Sequence, residues 1–239
     1  MDHRVTPLRT RIKICGLTRE EDVDTAVAAG VDAIGFNLYP HSPRYISIER
    51  AVELARRLPV FVTPVLLFVN AGVEHVQASC ARLAHALLQF HGDETPAYCW
   101  QASGQGARAY VRAARIPLDD TAAAFDLVKY ANDYHNASAL LLDAHIAAFG
   151  GGGVTFNWSR LPPSVNCHLV LSGGLTPANV TDGILQLRPR CKTLAVDVSS
   201  GVEVSKGIKD AGKIFQFVAA VRAADHQLAS PHHAPLPAA

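Results

Sequence analysis

Two short turns rich in serine and glycine have the composition of a phosphate site. The apolar run at 169–171 leads into Ser-Gly-Gly at 172–174, and the run at 194–196 leads into Ser-Ser-Gly at 199–201. Because glycine has no Cβ, backbone N–H groups can converge on an anion there, and a following helix N-terminus adds about half a positive charge. Each turn by itself is equally compatible with a simple tight turn. The pair predicts a phosphate-binding end of the molecule.

Cys15 has the surroundings of a reactive thiol. It ends the apolar run 12–15 and is followed by Gly16 and then by a predicted helix. A helix N-terminus favours the thiolate, which is the reactive form of cysteine. A buried structural role is the common alternative. The other cysteines lie in predicted helices or near strand starts and are interpreted as packing residues: Cys80, Cys99, Cys167 and Cys191.

Asp143 has the surroundings of a general acid. It follows the apolar run 139–142, so its carboxyl group should emerge above apolar side chains. Partial desolvation disfavours the carboxylate and keeps some of the group protonated. The alternative is a carboxylate that only caps the next turn. The glycines at 150–153 favour the functional interpretation, because so costly a run suits a mobile cover over a site.

Three further side chains are placed to bind a substrate. Arg44 lies in a long loop, where its guanidinium could fork a carboxylate, and an ordinary surface arginine is the alternative. His91 could hydrogen-bond within the site, although a lone histidine is more often structural. Asp197 suits the binding of a hydroxyl group or a loop better than proton transfer. Other polar residues at predicted strand ends are Asn37, Asn70 and Arg115.

The elements that must position these residues alternate along the chain. Alternation of strands and helices implies a parallel sheet with right-handed crossovers, and hence an α/β fold that is a single (β/α)8 TIM barrel. Catalytic groups in such a barrel lie at the carboxyl ends of its strands. A doubly wound sheet with a split domain is the alternative. The strands are predicted at 12–15, 32–37, 60–69, 87–90, 109–116, 139–142, 169–171 and 194–196.

Helices are predicted between these strands. Thr18 and Glu21 have capping-box spacing, and Thr176-Pro177 places a hydroxyl at an N-cap before a first-turn proline. The other predicted helices span 47–58, 73–83, 94–101 and 122–132.

Length and composition bound the class of protein. The 239 residues suit a barrel of about 250, and 49% hydrophobic with 18% charged residues is typical of a soluble globular protein. A net charge of +1 and no apolar run of about 18 residues argue against nucleic acid and membrane partners. Five cysteines without a CxxC pair and no visible secretory signal predict a cytoplasmic protein.

Domain boundaries are placed near the two ends. We expect an N-terminal extension over residues 1–10, a barrel over 11–223 and a disordered tail over 224–239, where the sequence becomes rich in Ala, His and Pro. No metal cluster, Walker-type loop or dinucleotide fingerprint is found in the sequence. A thiol, a carboxyl group and a phosphate anchor suit proton transfers on a sugar phosphate.

Taken together, these motifs resemble the phosphoribosylanthranilate isomerase family, barrel enzymes of tryptophan biosynthesis. The resemblance covers about residues 11–221, and its most specific segments are KICGL at 13–17 and VDVSSGVE at 196–203. The other matching segments are SPRYI at 42–46, QFHGDE at 89–94, LD at 142–143, the glycine-rich stretch 150–158 and SGGLTPANV at 172–180.

The resemblance implies an Amadori rearrangement of N-(5-phosphoribosyl)anthranilate, a small phosphorylated substrate, without a cofactor. Asp143 would protonate the ribose ring oxygen as general acid, and Cys15 would remove the C2 proton as general base. Arg44 would hold the anthranilate carboxylate, with His91 and Asp197 as further substrate-binding residues. The phosphate would lie on backbone amides around Gly173, Gly174, Ser200 and Gly201.

The glycine-rich loop departs from the family pattern. The family's loop usually has the sequence GGTGKTFDW, whereas Gly152, Val154 and Asn157 replace its threonine, lysine and aspartate here. The change removes a basic group from the loop and leaves the predicted acid and base in place.

Other functions remain open at this point. A pentose-phosphate epimerase or indole-glycerol-phosphate synthase would need metal ligands or a lysine at strand ends, and neither is evident. A non-catalytic sugar-phosphate-binding barrel would bind without turnover, which the retention of both Cys15 and Asp143 opposes. A second substrate, such as the aminoaldose of histidine biosynthesis, is compatible with the sequence, as is either a monomer or a homodimer.

Overall fold

The computed structural model describes residues 9–118, 125–144, 155 and 157–229. Within them, eight strands pair in chain order as a closed barrel. Every neighbouring pair is parallel, including the closure of the eighth strand onto the first. The (β/α)8 prediction is therefore confirmed, and closure rules out the open doubly wound sheet.

The strands of the barrel agree with the sequence prediction to within a few residues. They are β1 (Arg11–Cys15), β2 (Ala33–Asn37), β3 (Thr63–Phe68), β4 (Leu87–Phe90), β5 (Tyr110–Ile116), β6 (Ala139–Ala144), β7 (Val165–Leu171) and β8 (Cys191–Val198). A short antiparallel ribbon follows, formed by β9 (Glu203–Ser205) and β10 (Ile208–Lys209).

Helices connect the strands. The α-helices are α1 (Glu20–Ala29), α2 (Ile48–Ala55), α3 (Val73–Arg82), α4 (Pro96–Ala102), α5 (Leu127–Asp133), α6 (Val180–Leu187) and α7 (Ala211–Ala229). Single 3-10 turns span Trp158–Arg160, Arg188–Arg190 and Ser200–Val202. None of the helices in the described ranges is long and apolar enough to cross a membrane.

Strand alternation separates two layers of side chains. In β1, Ile12 and Ile14 are fully buried in the layer between the sheet and the helices, so Lys13 and Cys15 point into the barrel. The middle of the barrel is filled by the apolar side chains of Val111, Ala113, Leu141 and Val170. Cys15 and Asp143, two residues beyond Lys13 and Leu141 on the inward faces of β1 and β6, therefore lie above this apolar layer.

Two predicted helix starts are wrong. The Thr18 hydroxyl donates to the Gly207 carbonyl at 2.8 Å instead of capping α1, whose N-cap is Arg19 without a side-chain bond. Thr176 is not a cap either, because Asn179 is the N-cap of α6 and its side chain accepts from Thr176 N–H at 2.8 Å.

Two element ends also differ from the prediction. Val60 and Phe61 are 88% and 93% exposed, because a turn closed by Val62 N–H and the Pro59 carbonyl precedes β3. The helix predicted over 122–132 begins only at Leu127, with Asp126 as its N-cap, and residues 119–124 lie outside the described part.

Helix α7 corrects the predicted start of the tail. The helix continues to Ala229, whereas disorder was expected from residue 224, and only residues 230–239 lie outside the described part there. Asp225 explains the extension, since it accepts from Thr10 N–H at 2.9 Å and from Arg188 at 3.1 Å. These contacts tie the last helix to the start of β1.

We expect Asp225→Ala to lower the free energy of unfolding by about 2 kcal/mol or more, because it leaves Thr10 and Arg188 without a charged partner. Chemical denaturation of the full chain measures the change. Asp24→Ala, which removes an exposed pair with Arg57, is the matched control and should leave the midpoint nearly unchanged. Equal midpoints for the Asp225 variant and wild type would contradict the proposed tether.

Candidate active site

An open cleft of about 330 Å³ lies at the carboxyl ends of the barrel strands. It contains most of the residues that the sequence predicts for chemistry, and it is the place where a (β/α)8 barrel carries its active site. The predicted site residues that line it are Cys15, Arg44, His91, Asp143, Gly173, Gly174, Asp197 and Ser200. The exception is Gly201, which does not line the cleft.

A hydrogen-bonded chain lies on one side of the cleft. Asp143 accepts from the Ala144 N–H at 2.9 Å, and its other oxygen lies 2.8 Å from His91 Nε2. His91 Nδ1 is 3.0 Å from Gln89 Nε2. Both Asp143 and His91 are only 5% exposed. Both ring nitrogens of His91 thus have protein partners, and one of these partners is Asp143, the predicted general acid. The predicted contact of His91 with a substrate stays a prediction.

The other side of the cleft carries a thiol above an ion pair. Lys13 and Asp197 face each other in the pairing of β1 with β8, and Lys13 Nζ donates to Asp197 at 2.9 Å. Cys15 lies on the same face of β1, two residues further on. A Cβ built on Gly35 would lie 2.7 Å from the Cys15 sulfur and 2.9 Å from Lys13 Nζ. The absence of that Cβ gives the thiol and the ammonium room to approach each other.

Burial raises the pKa of the Cys15 thiol, an effect that the nearby Lys13 charge opposes and Asp197 reinforces. The prediction that this position favours the thiolate is therefore wrong. Helix α1 begins only at Glu20, five residues beyond the cysteine, so its dipole is too far away to offset desolvation.

Lys13 was missed as a site residue. Burial disfavours its ammonium, but Asp197 and Cys15 together outweigh burial and raise the pKa of Lys13. A usable signal was present in the sequence, because a lysine two residues before Cys15 on an apolar strand must share its face.

Arg44 is bound differently from the prediction. Its Nε and Nη2 each donate to the Glu203 carboxylate at 2.7 Å, so the predicted fork is occupied by a protein group. Lys209 also donates to Glu203, at 2.8 Å. Burial opposes ionisation, but these bonds together hold the pKa of Glu203 below its ordinary value. Of the three guanidinium nitrogens of Arg44, Nη1 is the one without an acceptor among the described residues. This nitrogen could still donate to a bound carboxylate.

The two serine–glycine turns lie side by side. Gly173 and Gly174 have φ angles of +74° and +63°, which favour glycine. A Cβ on Gly201 would lie 1.9 Å from the Leu175 carbonyl oxygen, so Gly201 serves the close packing of the two loops. Its predicted phosphate contact therefore stays a prediction. The 3-10 turn Ser200–Val202 places a helix-like N-terminus beside the first turn.

The glycine-rich loop belongs only in part to the described structure. Residues 150–153 and Val154 lie outside the described residues, so the predicted cover over the site is not tested. Asn157, which replaces the family's aspartate, accepts from Ser159 N–H at 3.1 Å and caps the 3-10 turn Trp158–Arg160.

The protein is a (β/α)8 barrel, and the cleft at the carboxyl ends of its strands is lined by a thiol, a carboxyl group and two glycine-containing turns. The family model for N-(5'phosphoribosyl)anthranilate (PRA) isomerase matches residues 12–220. The N-(5'-phosphoribosyl)anthranilate isomerase of Leptothrix cholodnii is 59% identical over 221 residues, covering 92% of this chain and 94% of the relative. The chain therefore belongs to the phosphoribosylanthranilate isomerase family, isomerases of tryptophan biosynthesis.

Solved structures agree with this assignment. The phosphoribosyl anthranilate isomerase from Thermus thermophilus superposes with a TM-score of 0.77 at 31% identity, covering 90% of this chain and 99% of that one. A second isomerase structure, in complex with reduced 1-(o-carboxyphenylamino)-1-deoxyribulose 5-phosphate, gives a TM-score of 0.71 at 33% identity, with coverages of 90% and 99%.

Gly35→Ala should reduce kcat/KM about tenfold or more, because the new Cβ would displace the Cys15 sulfur and Lys13 Nζ. Isomerase assays on folded protein, checked by circular dichroism, measure the effect. Gly72→Ala is the matched control, since its Cβ would meet no atom within 4 Å. Full activity in the Gly35 variant would show that the close approach around Cys15 is not needed.

Proposed function

We propose that this chain converts N-(5-phosphoribosyl)anthranilate into 1-(2-carboxyphenylamino)-1-deoxyribulose 5-phosphate, with Asp143 as general acid and Cys15 as general base. One observation carries the proposal. Asp143 is on β6 and Cys15 is on β1, and the two strands between them, β7 and β8, lead into the serine–glycine turns. A phosphate held by those turns would place the attached ribose between the acid and the base.

The first step is ring opening. Asp143 donates a proton to the ribose ring oxygen, the C1–O bond breaks, and the anilino nitrogen lone pair forms a protonated Schiff base with C1. Asp143 lies in the cleft with its orientation fixed by the Ala144 N–H and by His91. A fixed donor needs little reorganisation during proton transfer, which favours catalysis.

His91 supports this step by holding the carboxyl group of Asp143. His91 Nε2 lies 2.8 Å from Asp143 Oδ2. Gln89 holds the ring through Nδ1 at 3.0 Å. Asp143, held in this way, is the general acid that faces the ring oxygen.

The second step is removal of the C2 proton. The Cys15 thiolate accepts that proton, and the C2–H electrons form a C1=C2 double bond while the Schiff-base nitrogen becomes a neutral amine. The resulting enolamine tautomerises when C1 gains a proton and the C2 hydroxyl loses one, which gives the ketone. Proton loss and gain balance, so no oxidant, metal or cofactor is required.

The ends of the substrate are assigned to two anchors. The phosphate would bind backbone N–H groups around Gly173, Gly174 and Ser200, and the anthranilate carboxylate would bind Arg44 Nη1. The phosphorylated product analogue held by a relative supports this substrate class. A Thermotoga maritima relative is described as dimeric, and a monomer or homodimer in the cytoplasm remains our proposal for this chain.

Lys13 is a candidate for the catalytic lysine that the alternative function, such as that of an indole-glycerol-phosphate synthase, would need. A catalytic lysine must be able to lose its proton, whereas the Asp197 and Cys15 charges raise the pKa of Lys13 despite its burial. Lys13 is therefore an ammonium at neutral pH, and it does not line the cleft whereas Cys15 does, so the geometry favours the thiol as base.

We expect Cys15→Ser and Asp143→Asn each to lower kcat by a factor of about a thousand or more while the protein stays folded, because each removes one proton-transfer group. The assay generates the substrate in situ and follows the loss of anthranilate fluorescence. Cys167→Ser, at a half-buried cysteine in β7, is the matched control and should retain activity. Binding without turnover by the wild type would instead support a non-catalytic barrel.

The pH dependence follows from the burial of the base. Because burial raises the pKa of Cys15, the thiol form dominates at neutral pH and the active thiolate increases about tenfold per pH unit below that pKa. We therefore expect kcat/KM to rise from neutral towards alkaline pH. A flat or falling profile over this range in protein that remains folded would contradict Cys15 as base.

A further inference from the structure

The Lys13–Asp197 pair is a buried ion pair beneath the cleft. The two side chains are 10% and 5% exposed. Asp197 lines the cleft together with Cys15, whereas Lys13 is not among the described residues that line it. The charge of Lys13 thus lies beneath the cleft, where a substrate bound in the cleft would not contact it.

Burying this ammonium is unfavourable unless an anion compensates. The barrel layer below it is apolar, built from Val111, Ala113, Leu141 and Val170, so an apolar side chain would satisfy packing at the same height. The fold by itself gives no reason for a lysine here. A reason appears at the neighbouring thiol.

Gly35 on β2 creates the space that Lys13 and Cys15 share. The Cβ that Gly35 lacks would lie within contact distance of both the sulfur and the ammonium nitrogen, at 2.7 Å and 2.9 Å. Both atoms therefore border the same small volume of low polarity. A unit charge at such short range has a large effect on a neighbouring ionisable group.

The charge balance around the sulfur favours an anion. The cations come from three places: β1, β10 and the long loop that follows β2. The anions come from β8 and β9. Arg44 and Lys209 are both bonded to Glu203, whereas Lys13 Nζ borders the space beside Gly35 together with the Cys15 sulfur. The charged groups that act on Cys15 are Lys13, Arg44, Asp197 and Lys209, and Glu203 pairs with two of them, Arg44 and Lys209.

We propose that Lys13 is a positioning residue of the reaction, whose buried ammonium, held by Asp197, stabilises the Cys15 thiolate when it acts as base. The inference rests on the proposed function of Cys15. Lys13 contributes through Cys15 and does not exchange a proton with the substrate. At neutral pH Lys13 is charged despite its burial, because Asp197 pairs with it and its pKa is raised.

The test measures the ionisation of Cys15 directly. The ultraviolet absorbance of the thiolate is titrated in each protein, and the titration of the same protein carrying Cys15→Ser is subtracted, so that the other cysteines cancel. Lys13→Met should raise the pKa of Cys15 by about 1 or more. Accordingly, kcat/KM at neutral pH should fall about tenfold or more and recover as the pH rises.

Further variants separate charge from packing. Lys13→Arg keeps the charge and should restore a pH profile close to that of wild type. Lys13→Met/Asp197→Asn removes both charges and keeps the interior neutral if the single variant folds poorly. Because the effect of Lys13 on the thiol exceeds that of Asp197, the pKa of Cys15 in the double variant should lie between the values for wild type and for Lys13→Met. Lys129→Met, in an exposed pair on α5, is the matched control and should change neither value.

The outcomes distinguish the two proposals. If Cys15→Ser is inactive but Lys13→Met and the double variant both keep the wild-type thiol pKa and pH profile, the role of Lys13 is wrong and the proposed function stands. If Cys15→Ser turns over substrate normally, the proposed function fails and the inference fails with it. A raised thiol pKa in Lys13→Met that Lys13→Arg reverses would support both.

Discussion

The period-two alternation of strands in a closed barrel is the constraint on which the site depends. Once eight parallel strands close, every second side chain must point inwards, and its height in the barrel is set by the register between neighbours. The apolar layer of Val111, Ala113, Leu141 and Val170 fills the middle of the interior. The proposed catalytic groups of β1 and β6 and the Asp197 carboxylate of β8 thereby meet at one end of the barrel.

Close approach of loops is the second requirement, and glycine provides it at two positions. Gly173 lies so near β6 that a Cβ would come within 2.8 Å of the Asp143 carboxylate. Gly201 allows the turn after β8 to pack on Leu175 of the turn after β7. The Ser199 hydroxyl then donates to the Cys15 carbonyl at 3.0 Å, which links the second turn to the strand that carries the proposed base. The proposed phosphate anchor and the proposed acid and base are thus parts of one packed unit.

The sequence predicts the strands and their end residues well, because each depends on local pattern. Cys15 and Asp143 follow apolar runs, and both line the cleft. Partners remote in sequence were not predictable in the same way. The carboxylate bound by Arg44 lies 159 residues away at Glu203, and Asp225 meets Thr10 across 215 residues. Lys13 was overlooked for a different reason: the spacing to Cys15 indicates a shared face, but the ion pair that makes its burial tolerable depends on the register of β1 with β8, which places Asp197 opposite it.

A crystal structure of this protein with reduced 1-(o-carboxyphenylamino)-1-deoxyribulose 5-phosphate would test the division of labour between Asp143 and Cys15 most directly. The account predicts the phosphate on the turns at 172–174 and 199–201. It also predicts the Cys15 sulfur within about 3.5 Å of C2 and Asp143 in hydrogen-bond contact with the C4 hydroxyl, which carries the former ring oxygen. A phosphate bound elsewhere, or C2 turned away from Cys15, would contradict it.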